Sequence, residues 1–166
     1  MQDSRSTPNT STPQYLKTST PPNTMKYICL VYQEEEKLNA ASDAEVDAAI
    51  TACGEWVGDL EKNGRHIFSS GLQSPRTATT LRKKNGGIAV TDGPFAETKE
   101  FLGGFTIIEA RDLNEAIQIA SNFPAVQFGT VEVRPVMELD ADLTDPMDLR
   151  IAESIRRTYQ PAEMAK

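Results

Sequence analysis

Apolar and polar positions follow two different rhythms along this chain, and the switches between them outline its elements. Lys26–Tyr32 (KYICLVY) is apolar at both alternating sets of positions, Tyr27/Cys29/Val31 and Ile28/Leu30/Tyr32. A strand of that kind is covered on both faces, unlike one with a wet side. The acidic run Glu34–Glu36 reads as a solvated loop. Ser42 and Glu45 have the spacing of a capping box, and Val46, Ala49, Ile50, Cys53, Val57 and Leu60 recur at helical spacing. Together they predict an amphipathic helix over 43–62. Asn63-Gly64 ends it, since glycine takes the left-handed conformation that a helix end favours.

Further on, His66–Ser70 reads as a brief strand. Thr77–Arg82 and Ile88–Thr91 flank Lys83–Gly87, whose Asn-Gly-Gly sequence favours positive φ and so a hairpin. Asp92-Gly93-Pro94-Phe95 is a turn by composition. Gly103-Gly104 leads into Phe105–Ala110, a second strand apolar on both sides. Asp112 caps a second helix with Glu115 at its third position and Leu113, Ala116, Ile117 and Ala120 on its inner stripe; Phe123-Pro124 closes it, and Thr130–Val136 is the last strand. The order β-α-β-β-β-β-α-β is that of an α+β, ferredoxin-like split βαβ fold with an inserted hairpin.

Two helices cover one face of such a sheet, and the strands are apolar on both. The economical way to hide the second face is another copy packed sheet to sheet, so the pattern predicts a homodimer. Three segments follow: a Ser/Thr/Pro-rich tail at 1–24 expected to be disordered, a domain over 25–137, and an acidic linker with a C-terminal helix over 138–166. That helix starts at Asp145-Pro146 and carries Met147, Ile151, Ile155 and Tyr159 four residues apart.

Composition removes several function classes. No run approaches the roughly 18 apolar residues that a spanning helix needs, so no membrane role is expected. The 17 basic and 24 acidic residues give a net charge of −7, which repels the phosphates of nucleic acids. Two cysteines, Cys29 and Cys53, and the single His66 are too few for a zinc site in one chain and are expected as reduced thiols in a cytoplasmic protein. No phosphate loop, dinucleotide fingerprint or nucleophile elbow occurs, so neither a cofactor nor a bound metal is expected.

The segment with the densest chemistry is Thr91–Gly104 (TDGPFAETKEFLGG), which places Glu97, Lys99 and Glu100 beside a rigid turn. Connections longer and more charged than a simple link often carry sites. Asp92 and Glu97 are the candidate acid–base groups, because a carboxylate can serve near neutrality when burial or a like charge raises its pKa. Glu132 and Arg134 alternate with Val131 and Val133; if the valines face the helices, the charged pair points into the space between two sheets, where the arginine could fork onto a ligand carboxylate. Tyr27, Lys99, Glu132 and Arg134 are thus the candidate ligand contacts, with Arg82 secondary. His66, directly after the helix stop, is expected at a rim or in the core rather than as a base. Trp56 is expected to pack.

The strings DGPF (Asp92–Phe95), AETKE (Ala96–Glu100) and LGGF (Leu102–Phe105), with MKYICLVY, GLQSPRTATTLR at 71–82 and VEVRPV at 131–136 around them, resemble the DGPF-domain, YCII-related family over about residues 25–137. The resemblance implies a dimeric α+β barrel. It implies no settled activity: the wider group includes a dehydrochlorinase and proteins with a proposed His–Asp pair, and this chain has no histidine where that pair's histidine lies. Many members are encoded near extracytoplasmic-function sigma factors. The expected function is a small-molecule binding protein or cofactor-free acid–base enzyme, of isomerase or lyase type, acting as a homodimer. The alternatives are a regulatory module, with a sigma-factor-related protein as its partner, and a purely structural dimer.

Overall fold

The computed structural model describes residues 24–138 and 143–158, so the 1–24 tail, apart from Thr24, and Tyr159 lie outside the described residues. Strand β1 (Met25–Glu34) is central, flanked by β5 (Glu100–Ala110) and β6 (Gly129–Pro135), with β2 (His66–Gly71) beyond β5. The sheet order is β2-β5-β1-β6 and every pairing is antiparallel. This is the ferredoxin-like arrangement, with a separate two-stranded hairpin, β3 (Thr79–Lys84) and β4 (Gly87–Asp92), inserted between β2 and β5. Asn85 and Gly86, both at positive φ (51° and 82°), make its turn, the backbone that matches the twist of a tight hairpin.

The two helices that pack on the sheet core form where the periodicity and caps require. Helix α2 (Asp43–Lys62) begins with the Ser42–Glu45 capping box and stops at Gly64, φ 65°. Helix α3 (Leu113–Ser121) begins at Asp112, whose carboxylate accepts from the Glu115 N–H at 2.8 Å. Glu34–Glu36 is not loop throughout: a short helix α1 spans Glu35–Ala40, its two glutamates lying at the positive end of the helix dipole. C-terminal helix α4 (Pro146–Thr158) is capped by Asp145, which accepts from the Met147 N–H at 2.8 Å. No described helix is long and apolar enough to cross a membrane.

The sheet's two faces are unequal. Tyr27, Cys29 and Val31 lie under the helices with Ile108, Ala110, Ala116, Ala120 and Leu60. Val131 and Val133 pack against this core, so Glu132 and Arg134 stand on the opposite face, across from Leu30 and Ile28. Ile28, Leu30, Tyr32, Phe105 and Ile107 are half-covered there, and Phe68 leans on Phe105 with ring centroids 5.8 Å apart. The helix stripes are narrower than the periodicity suggests: Ile50 on α2 and Leu113 and Ile117 on α3 are exposed, because small residues (Ala49, Ala116, Ala120) make the close contact. On α4 the fully buried residue is Ala152, while Met147 and Ile151 are exposed.

Candidate functional site

Glu100–Gly104 belongs to β5, so the connection after β4 is only residues 93–99. It is held through its backbone: Thr80 Oγ1 donates to the Gly93 carbonyl at 2.7 Å, the Gly93 N–H to the Ala78 carbonyl at 2.7 Å, and Arg82 to the Phe95 carbonyl. Asp92, Glu97 and Lys99 are exposed and have no side-chain partner among the described residues. Glu132 and Arg134 are also exposed, 3.6 Å apart. Tyr27 lies instead in the core on the sheet's other face, 3% exposed, with its hydroxyl 3.8 Å from Met25 Sδ. Burial first, and the Asp112 charge second, push the Tyr27 phenol upward. The sequence candidates therefore do not share one cavity within the chain.

A cleft of about 410 Å³ opens elsewhere, between α2 and the covered face at the Val31 end of β1. Val31, Val57, Phe123 and Ala125 give it apolar walls; Glu61, Ser69 and Thr106 give it polar atoms; no lysine or arginine lines it. Of Thr91–Gly104, only Gly103 and Gly104 reach it. The outer wall is fixed by the Trp56 ring stacked on Phe123 at 4.2 Å and 8°, which fulfils the packing role expected of Trp56. The cleft exists partly because α2 lacks a side chain at two of its lining positions: Gly54 and Gly58, one turn apart, both line it, and a Cβ on either would meet nothing within 4 Å. Glycine inside a helix costs about 0.5–1 kcal/mol relative to alanine, so this is open volume held at the expense of stability.

Three of its lining residues, Glu61, Ser69 and Thr106, belong to a chain of polar groups that passes through His66. Glu61 Oε1 is 3.4 Å from His66 Nδ1, His66 Nε2 is 2.8 Å from Ser69 Oγ, and Ser69 donates to Thr106 Oγ1 at 3.0 Å. Simple alternation would put His66 and Ser69, three residues apart, on opposite faces. A β-bulge after His66 changes that: His66 pairs with Ile108 and Ser69 with Thr106, both under the helices. Bulges re-aim side chains in this way. His66 is thus a largely buried imidazole, its side chain 13% exposed, with a partner at each nitrogen. Cys53 also lines the cleft, and burial pushes its thiol upward against a weaker opposing hydrogen bond from the Ala125 backbone; it is a thiol at neutral pH. Cys29, fully buried, is pushed up to about 11 by burial.

Glu115, on α3, ties that helix to the segment after α2 and to the end of β5 through Arg65 and Arg111. It accepts from the Arg111 N–H at 2.7 Å and forks onto Arg65 at 2.8 and 3.0 Å. The Arg111 backbone N–H, then the Arg111 and Arg65 side chains, hold its carboxyl down at about 2. No group of three or more potential metal ligands occurs among the described residues.

The reading of the sequence alone missed Glu61, Ser69, Thr106 and the paired glycines. Gly54 and Gly58 carried a visible signal, two glycines one turn apart inside a helix; the His66–Ser69 contact carried none, because it depends on the bulge.

Known proteins place this architecture. An uncharacterised protein of Rhizobium meliloti (strain 1021) is 34% identical over 121 residues, 68% of this chain and 92% of that protein. Residues 25–140 match the YCII-related domain, and the chain belongs to that family.

Proposed function

We propose that this protein binds a small, largely apolar molecule in the cleft between α2 and the sheet and performs cofactor-free acid–base chemistry on it. The observation that carries this is the coincidence, in one hollow, of apolar walls, two helix glycines that leave it open, and Glu61 and Ser69, the two lining residues between which His66 is held. Apolar hollows with a few convergent polar groups are the usual form of small-molecule sites. Histidine is the side chain whose ordinary pKa suits proton transfer near neutrality, so it takes the role first sought in Asp92 and Glu97. Isomerisation or elimination needs only such a group and a bound substrate.

The working unit of this reading is a homodimer. Supporting it, Leu81, Ile88 and Val90 share one face of the hairpin and are 61–65% exposed, while Ile28, Leu30, Phe105 and Ile107 stand half-covered on the sheet face opposite the Tyr27/Cys29/Val31 core. An isolated hairpin with such a face is marginal in water. Asp92, Glu97, Lys99, Glu132 and Arg134, unburied within one chain, are then contacts that a second copy could complete.

Nile red, an uncharged apolar dye, tests the cleft. It is expected to bind the full-length protein saturably, and Gly58→Leu, which adds bulk at a position where a Cβ meets nothing within 4 Å, is expected to weaken that binding at least tenfold. Equal binding by both proteins would refute the reading. Leu30→Glu is expected to yield a monomer in sedimentation; an unchanged mass, or a wild-type monomer, would refute the dimer. A second reading, a regulatory module linked to a sigma factor, is favoured by the exposed Met147 and Ile151 on α4; deleting 143–166 should abolish partner capture while leaving dye binding intact.

A further inference from the structure

We infer that Ser69 is a nucleophile, activated by His66 and Glu61, that takes an acyl group from an uncharged ester bound in the α2 cleft. The inference rests on the proposed ligand site and adds to it a covalent step. A serine hydroxyl is a weak nucleophile by itself; the arrangement that activates it is a base within hydrogen-bond reach, itself oriented by a third group. Here Ser69 Oγ is 2.8 Å from His66 Nε2, and Glu61 Oε1 is 3.4 Å from His66 Nδ1. With Nδ1 protonated toward the carboxylate, Nε2 presents its lone pair to the serine. The hydroxyl proton can turn between Thr106 Oγ1, at 3.0 Å, and that lone pair. Thr106, 2% exposed, fixes the oxygen's position through both states and is a positioning residue, as is Glu61.

The neighbouring residue is an internal contrast. Ser70 has no imidazole; its hydroxyl donates only to the Gly71 carbonyl beside it, at 3.1 Å. The lining also sets the substrate class. With no cationic residue, one carboxylate and several apolar side chains, the cleft favours an uncharged molecule with an aromatic or alkyl body over an anion. In the reaction, Ser69 Oγ bonds to the acyl carbon as its proton passes to His66 Nε2. The bond to the leaving alkoxide breaks, and His66 returns that proton to the departing alcohol. Water, deprotonated by His66, then adds to the acyl carbon, and Ser69 leaves with the proton, releasing a carboxylic acid.

The test is covalent labelling of the full-length protein with phenylmethanesulfonyl fluoride, an uncharged aromatic reagent from which an activated serine displaces fluoride. Intact-mass and peptide analysis should find one adduct per chain, on Ser69. Ser69→Ala should give none, Ser70→Ala should label as the parent does, and His66→Gln should label about 100-fold more slowly, the scale of a lost general base. If His66→Gln does not fold, Glu61→Gln at its exposed carboxylate takes its place and should slow labelling several-fold. No adduct, an adduct elsewhere, or an unchanged rate in the histidine or glutamate variant would overturn the inference. Nile red binding that stays sensitive to Gly58→Leu would then leave the ligand site standing; loss of that sensitivity would remove both.

Discussion

Two hollows among the described residues, the α2 cleft and the groove between α3 and β6, differ in chemistry more than in shape. The α2 cleft combines apolar walls with Glu61, Ser69 and Thr106, and α2 carries glycines where side chains would fill it. The groove between α3 and β6 is larger, about 670 Å³, but is lined by Leu113, Ile117, Ala120, Val126, Val131 and Val133, with only Ser121 and Thr130 as polar side chains. Volume alone would choose the groove. A site needs groups that orient a ligand and move a proton, and of the two hollows only the cleft is lined by a residue, Ser69, that is hydrogen-bonded to an imidazole. The groove is what remains where small residues, Ala116 and Ala120, bring α3 close and leave its larger side chains at the margin.

The largest expected effect comes from the cleft's wall. Trp56→Ala removes the ring stacked on Phe123 and is expected to cost about 3 kcal/mol in urea unfolding, with loss of dye binding. Leu113→Ala in the groove, at a half-exposed position, should cost about 1 kcal/mol and leave dye binding unchanged. Equal effects on binding would erase the distinction between the hollows.

A middle-sized effect belongs to Glu115, which serves the fold and neither hollow. Glu115→Gln is expected to cost about 1.5 kcal/mol at pH 7, the scale of hydrogen bonds to a charged group, without altering dye affinity. Its carboxyl sits at about 2 in the folded chain against 4.5 when unperturbed. The unfolded chain therefore takes up the proton first on acidification. The stabilisation is complete above about pH 4.5 and is lost as pH falls through about 2. Unfolding measured between those values should show a slope in the parent that is reduced in the variant.

The smallest effect is the most specific. Gly54→Ala and Gly58→Ala should each stabilise the protein by about 0.5–1 kcal/mol, since alanine is the better helix former and its methyl group meets nothing. Each should also weaken dye binding. A stabilising change that harms binding would show that α2 gives up helical stability for space.

Much of this fold was legible in the chain. Caps and breakers such as Ser42, Glu45, Gly64, Asp112 and Asp145 act locally, and each stands where its spacing to the next apolar residues indicated. Strand ends were less legible: Gly103 and Gly104 read as leading into a strand at Phe105, yet they lie inside β5, and Gly104 is held there by its neighbours, since a Cβ would come within 2.9 Å of the Ser70 carbonyl. The candidate site was least legible. The charged loop was conspicuous because its residues are adjacent in sequence, whereas Glu61, His66, Ser69 and Thr106 meet through a helix end, a bulge and a strand pairing. Tyr27 was uncertain for a related reason: alternation groups it with Cys29 and Val31 but cannot say which group the helices cover.

The central claim, that the α2 cleft and not the α3 groove receives a small uncharged ligand, is tested most directly by methyl-resolved NMR during titration with Nile red. Val57, and Val31 beneath it, should shift saturably, while Ile117, Val131 and Val133 stay in place. Shifts confined to the groove methyls, or no saturable shift at Val57, would contradict the account.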